Sequence, residues 1–159
     1  MGDSNALIGS REKTRRTFKM TDPEHTPTNM SEKIRIYNNS GETRESPIDK
    51  KQRIYVRARM YPGLSISRSM GDVLAHYIGV ISEPGLYEYV LQNSDMFVAI
   101  GSDGIWDFLG PEEVTELIND YGAKEGGNST QIISGKVKEN CIADNATLDD
   151  MTLIISYFH

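Results

Sequence analysis

The sequence predicts an α+β fold, with strands pairing mainly antiparallel and helices set between them, on three observations. Two apolar runs, Met96 to Ile100 and Met151 to Phe158, have the length and content of strands that face a core. Two segments repeat apolar residues at helical spacing: Val114, Leu117 and Ile118 within Pro111 to Asp120, and Ile132, Ile133, Val137 and Cys141 within Thr130 to Ile142. The chain contains no internal repeat and no low-complexity tract, so neither a solenoid nor a fibrous architecture competes.

Taken in order, a first strand is expected near Asn5 to Ile8, then a charged turn, then Thr17 to Met20. Thr21 to Thr28 is punctuated by Pro23 and Pro27 and reads as a loop. Ser31 is placed to cap a short helix through Asn38 that ends near Gly41. Gly41 to Asp49 is polar and reads as a loop. Lys50 to Arg59 alternates Arg53, Arg57 and Arg59 with Ile54, Val56 and Ala58, the pattern of a strand with an outward basic face. Tyr61-Pro62-Gly63 should break that strand, Leu64 to Ser67 should lead into Gly71-Asp72, and Val73 to Tyr77 should form a helical turn. Strands are expected at Leu86 to Leu91 and Met96 to Ile100, and a flexible connection at Gly122 to Asn128.

Composition narrows the function classes. The 159 residues are 38% hydrophobic and 25% charged, one domain's worth of chain with enough apolar content to bury a core. A net charge of -6 argues against a nucleic-acid surface, and the basic clusters at Arg11 to Lys19 and Lys50 to Arg59 read as solvated faces. Cys141 is the single cysteine, which excludes an internal disulfide, and it reads as an apolar residue on a helix face. His25, His76 and His159 have no metal-ligand spacing among them. No apolar run approaches the length of a membrane span and no signal-like segment opens the chain, so a cytoplasmic or nuclear protein is expected.

Three short acidic motifs carry the chemistry: Ser-Met-Gly-Asp ending at Asp72, Ser-Asp-Gly-Ile-Trp-Asp holding Asp103 and Asp107, and Leu-Asp-Asp-Met-Thr around Asp149 and Asp150. Each alone has a simple turn reading, since Asp and Gly tolerate left-handed backbone. Together they are three acid-bearing turns, two of them at the tips of apolar strands. Carboxylates gathered by a fold repel one another and lose hydration, and a hard divalent cation bound through oxygen is the usual compensation. Asp107 follows Asp103 by four residues and shares its site if the connection turns helically, with Trp106 and Phe108 as its buried anchors.

These motifs resemble one family, the metal-dependent protein Ser/Thr phosphatases (PPM, type 2C). Pro62 to Asp72 resembles the family's Leu-x-x-Ser-Arg-x-x-Gly-Asp segment, Gly79 to Pro84 its Gly-Val-Ile-x-x-Pro, Ser102 to Asp107 its Ser-Asp-Gly-x-Trp-Asp, and Asp149 to Thr152 its Asp-Asn-x-Ser/Thr. Gly2 to Ala6 resembles the Gly-Asp-Ser-Arg-Ala strand, and Asp22 to Pro27 with Glu32 to Ile36 the Asp-His-x-Pro loop and its following helix. The family's Asp-Gly-His-Gly motif and an earlier Glu-Asp pair are not in this chain. The resemblance therefore implies that residues 1–159 are the C-terminal portion of one catalytic domain whose N-terminal half is absent, a partial α-β-β-α sandwich.

The resemblance further implies hydrolysis of phosphoserine and phosphothreonine in protein substrates by a metal-activated water. Two Mg²⁺ or Mn²⁺ ions, and a third held more weakly, are implied with it. Asp103 and Asp149 would ligate the metal pair, and Asp72 and Asp107, with Asp103, the third ion. Gly71, Gly104, Asp150 and Arg68 would support the site, Asp150 standing where the family has asparagine. No further catalytic residue is expected in this half. The fragment alone is expected to be inactive, and either to self-associate through uncovered strand edges or to rearrange its terminal segments to cover them. The alternatives are a noncatalytic phosphatase-like domain that binds a protein partner and, less well matched, a Ca²⁺-binding module, for which no contiguous loop of alternating acids is present.

Overall fold

The computed structural model describes residues 1–10, 17–19, 24–122 and 128–158. Most of the basic cluster that begins at Arg11, the start of the Thr21 to Thr28 loop, most of the Gly122 to Asn128 connection, and His159 lie outside them. The chain divides into two compact units, residues 1–3 with 23–86 and residues 4–22 with 87–159.

In the first unit, helix α1 (Met30–Asn38) precedes a three-stranded antiparallel sheet of β3 (Gly41–Glu45), β4 (Gln52–Val56) and β5 (Pro62–Leu64), in that order. A four-residue helix α2 (Val73–His76) follows. Ile36, Ile54, Ala75, Ile78 and Val80 form its buried core. Four expectations are corrected here. Asn29, not Ser31, caps α1: its side-chain oxygen accepts the Ser31 N–H at 3.0 Å, so Ser31 lies inside the first turn. Gly41 to Glu45 is a strand rather than loop, because Gly41 and Thr43 face inward and the segment pairs with β4 along its whole length. The basic strand stops at Val56; Ala58 takes left-handed backbone at φ 59°, and Arg57 and Arg59 lie in the turn. Pro62-Gly63 does not end pairing but forms β5, an outer strand whose proline needs no ladder hydrogen bond on its open side.

In the second unit, β1 (Asn5–Ser10), β2 (Thr17–Lys19), β6 (Asp95–Gly101) and β7 (Leu153–Tyr157) form one antiparallel sheet in the order β2-β1-β6-β7. Three helices accompany it: α3 (Asp103–Trp106), α4 (Pro111–Tyr121) and α5 (Ser129–Ala143). Leu7, Phe97 and Ala99 from the sheet pack with Ile105, Leu109, Val114, Ile118, Ile133 and Val137 from the helical segments. Burial of a side chain such as Phe97 contributes about 1.5–3 kcal/mol. Cys141 is buried on the inner face of α5, as its spacing predicts, and its thiol donates to the Ala146 carbonyl at 3.3 Å. β6 alternates: Phe97 and Ala99 are buried while Ile100 is 48% exposed, so its apolar run covers one inner face and one outer face.

The strand expected at Leu86 to Leu91 does not form. Residues 82–92 adopt no regular structure, and Leu86 and Val90 are exposed. A strand is completed by a neighbouring strand, which β-propensity alone does not supply. The α+β class with antiparallel sheets stands, and among the described residues no helix is long and apolar enough to cross a membrane.

Candidate metal centre

Strand pairing brings two of the acidic motifs together. β6 and β7 run antiparallel with Gly101 opposite Leu153, so the end of β6 and the beginning of β7 lie side by side. Asp103 begins α3 two residues past β6, and Asp149-Asp150 lie just before β7. Ser102 stitches them: its N–H donates to the Thr152 carbonyl at 3.0 Å, its hydroxyl accepts the Thr152 N–H at 3.1 Å and donates to the Asp150 carbonyl at 3.2 Å. Gly104 packs so closely on Asp150 that a Cβ there would run into the Asp150 carbonyl oxygen. Trp106 anchors the turn by donating its indole N–H to the Gly101 carbonyl at 2.7 Å.

Each carboxylate is held by the next residue's backbone. Asp103 Oδ1 accepts the Gly104 N–H at 2.9 Å, and Asp149 Oδ1 accepts the Asp150 N–H at 2.7 Å. Asp103 is half-buried, while Asp149 and Asp150 are exposed. The connection does turn helically, with the Asp107 N–H donating to the Asp103 carbonyl at 2.8 Å, so Asp107 stands one turn along at the exposed end of α3. A hollow of about 360 Å³ opens beside Asp149 and Asp150, lined also by Ile105, Thr130, Ser134 and Leu148.

Among the described residues, no group of three or more His, Cys, Asp or Glu side chains converges as a metal site. Asp103 and Asp149 are two carboxylates carried on neighbouring ends of β6 and β7. Carboxylate oxygen suits a hard cation such as Mg²⁺ or Mn²⁺ and not a thiolate-selecting metal, so the donor set fits the expected ions.

Asp72 belongs to the first unit. It precedes α2 in left-handed backbone, φ 40° and ψ 45°, beside Gly71 at φ 87°, and both are exposed. Its carbonyl accepts the Ala75 N–H at 2.7 Å. His25 is buried, and burial lowers its pKa, with the Arg68 charge acting in the same direction. His76 lines an open hollow with Met70, Gly71, Val73, Tyr77 and Ser82, and its buried Nε2 has no hydrogen-bond partner among the described residues.

Sequence reasoning missed a charged cluster in the same unit. Glu32, 1% exposed on α1, takes a forked pair of hydrogen bonds from Arg35 at 2.9 and 2.7 Å, bonds from Arg68 as short as 2.7 Å, and the Ser67 hydroxyl at 2.6 Å. Burial pushes the Glu32 carboxyl up, but the bonds from Arg68, then Arg35 and Ser67, override it and hold the group well below the usual carboxylate range. The Glu32-Arg35 spacing of three on a helix was the signal available, and it looks the same on any solvated helix face.

The protein phosphatase 2C family model matches residues 1–150. Probable protein phosphatase 2C 61 of Arabidopsis thaliana is 31% identical over 136 residues, which is 83% of this chain and 41% of that protein. Probable protein phosphatase 2C 35 of the same plant is 35% identical over 103 residues, 65% of this chain and 29% of its own length. The solved serine-threonine phosphatase 2C from Toxoplasma gondii superposes with a TM-score of 0.84 at 20% identity, over 100% of this chain and 53% of that one. The fold is thus shared well beyond what sequence identity retains. This chain spans less than half the length of these curated relatives.

Proposed function

The chain belongs to the protein phosphatase 2C family, and from that premise we propose that it is the later portion of a metal-dependent protein Ser/Thr phosphatase acting on phosphoserine and phosphothreonine. Its share of its relatives' length supports the portion reading, as does the lack of the Asp-Gly-His-Gly and Glu-Asp motifs among its residues. The observation that carries the functional reading is the stitched pair of acid-bearing turns: Ser102 and Gly104 hold Asp103 against the Asp149-Asp150 backbone at one end of β6 and β7.

In this reading Asp103 and Asp149 hold Mg²⁺ or Mn²⁺. When bound, such ions lower the pKa of a water nucleophile and offset charge on the phosphoryl oxygens. The residues of this chain orient the carboxylates. The Gly104 and Asp150 N–H groups each occupy one oxygen and leave the other carboxylate oxygens for a cation. Asp107, one helical turn from Asp103, and Asp72 are proposed as ligands of a third, weaker ion, Asp72 on the family resemblance alone. Asp150 adds negative charge beside the site where the family has a neutral amide.

The chain by itself presents one wall of the site and is proposed to be inactive and to self-associate through open strand edges, a state that light scattering reads directly. The functional test is hydrolysis of a phosphothreonine peptide by the full-length protein with Mg²⁺ or Mn²⁺ and after chelation. Loss of turnover on chelation and in Asp103→Asn supports the reading. Turnover that survives both overturns it.

A further inference from the structure

Within the first unit, residues 70–78 form an excursion between two stems, residues 67–69 and 79–83, that are joined to each other: Arg68 bridges Ile81, and the Ser69 N–H donates to the Ile81 carbonyl at 3.0 Å. The excursion carries Gly71, Asp72 and α2, and its residues Met70 to Leu74 are all exposed. Packing alone therefore constrains the Gly71-Asp72 turn little. Below it, Ala75, Ile78 and Val80 enter the core.

Both stems are tied to α1 by charged groups. On the first stem, Arg35 donates to the Ser67 carbonyl at 2.8 Å, and Glu32 accepts from the Ser67 hydroxyl and the Arg68 guanidinium. On the second stem, Arg35 Nε donates to the Gly79 carbonyl at 2.7 Å and Arg68 donates to the Glu83 carbonyl at 3.0 Å. One buried carboxylate thus aims two guanidinium forks, and each fork reaches both stems. A fork held at two points has a fixed plane, so the register between the stems follows from the position of Glu32.

We propose that Glu32 is a positioning residue that, through Arg35 and Arg68, sets the stems of the 70–78 excursion and so fixes where Asp72 stands. The consequence for turnover rests on the reading of Asp72 as a metal ligand; the consequence for the excursion does not. Glu32 acts through Arg35 and Arg68 and is not itself a catalytic residue.

The test uses Arg68→Lys, which keeps the charge but cannot span Glu32 and the Glu83 carbonyl with one planar group. Hydrogen exchange of the 159-residue chain is the first readout. The Ala75, Ile78 and Val80 amides, all hydrogen-bonded, should exchange about tenfold faster in the variant while β3 and β4 keep their protection. Unchanged exchange at 75–80, or a rise spread evenly over β3 and β4 as well, overturns the proposal. Should Arg68→Lys fail to fold, Ser67→Ala, which removes only the hydroxyl 2.6 Å from Glu32, carries the same measurement. The second readout is the Mg²⁺ dependence of turnover in the full-length protein, where Arg68→Lys should raise the half-saturating Mg²⁺ concentration as Asp72→Ala does, with the peptide KM unchanged. If Asp72→Ala leaves that dependence as it was, the ligand role of Asp72 fails, and the exchange result alone decides the role of Glu32.

Discussion

The two units use acidic side chains in opposite ways. In the first, Glu32 is withdrawn from water and surrounded by Arg35, Arg68 and Ser67, each donating to it. In the second, Asp103 and Asp149 sit at strand tips, half-buried and exposed, each with one carboxylate oxygen bonded to an adjacent backbone N–H. A buried carboxylate with a full set of donors has no capacity for a ligand and serves the fold. An open carboxylate on a rigidly stitched turn contributes little to folding and retains capacity for a cation. Charge chemistry in this chain is therefore assigned by what surrounds the carboxylate.

That contrast breaks most visibly if the tip carboxylates matter for stability. Asp103→Asn and Asp149→Asn should each lower kcat of the full-length protein by about a hundredfold or more, equivalent to roughly 3 kcal/mol of barrier. Each should leave unfolding free energy within about 0.5 kcal/mol of the parent. Steady-state kinetics beside urea titration reads both, and a large stability loss would erase the distinction between the units.

Glu32→Ala should do the reverse. Removing the buried carboxylate leaves two partly buried guanidinium groups without their counter-charge, and about 3 kcal/mol of stability should go with it. Urea unfolding measures this, and a loss below about 1 kcal/mol would place the pair among surface ion pairs. Gly104→Ala is the intermediate case. Its Cβ must displace the Asp150 carbonyl, at about 1–3 kcal/mol of strain, and turnover should fall because Asp149 moves with it.

The pH dependence separates the units further. The folded-state pKa of Glu32 is depressed, so its stabilising contribution is complete above the ordinary carboxylate range and is lost as pH falls through the folded value. Urea midpoints from pH 6 down to pH 3 should therefore fall less steeply in Glu32→Gln than in the parent at the acid end. Parallel curves would contradict the pairing. The smallest effect belongs to Asp49→Asn, which removes an exposed ion pair with Arg53 and should leave the urea midpoint essentially where it was in the same titration.

Much was legible in the sequence because it depended on local periodicity. The strands around 96–100 and 151–158 and the helices around Pro111 and Thr130 follow from apolar spacing, whereas the helical turn joining Asp103 to Asp107 was one of the conformations open to a tight glycine-containing connection. The acidic motifs at Asp103 and Asp149 could be singled out by composition and position at strand tips. Their meeting was not legible, since it comes from the β6-β7 register and the Ser102 stitches, pairings between residues about fifty positions apart. The same holds for the misread segments. Gly41 to Glu45 is polar enough for a loop and becomes a strand because β4 lies alongside it, while Leu86 to Leu91 has strand propensity without forming a strand. Tertiary structure likewise decided Glu32: three residues from Arg35 on a helix, it would be an ordinary surface pair had Ser67 and Arg68 not folded over it. Local spacing determines which backbone a segment can adopt, and the long-range partner determines whether its polar groups face water, a counter-charge or a ligand.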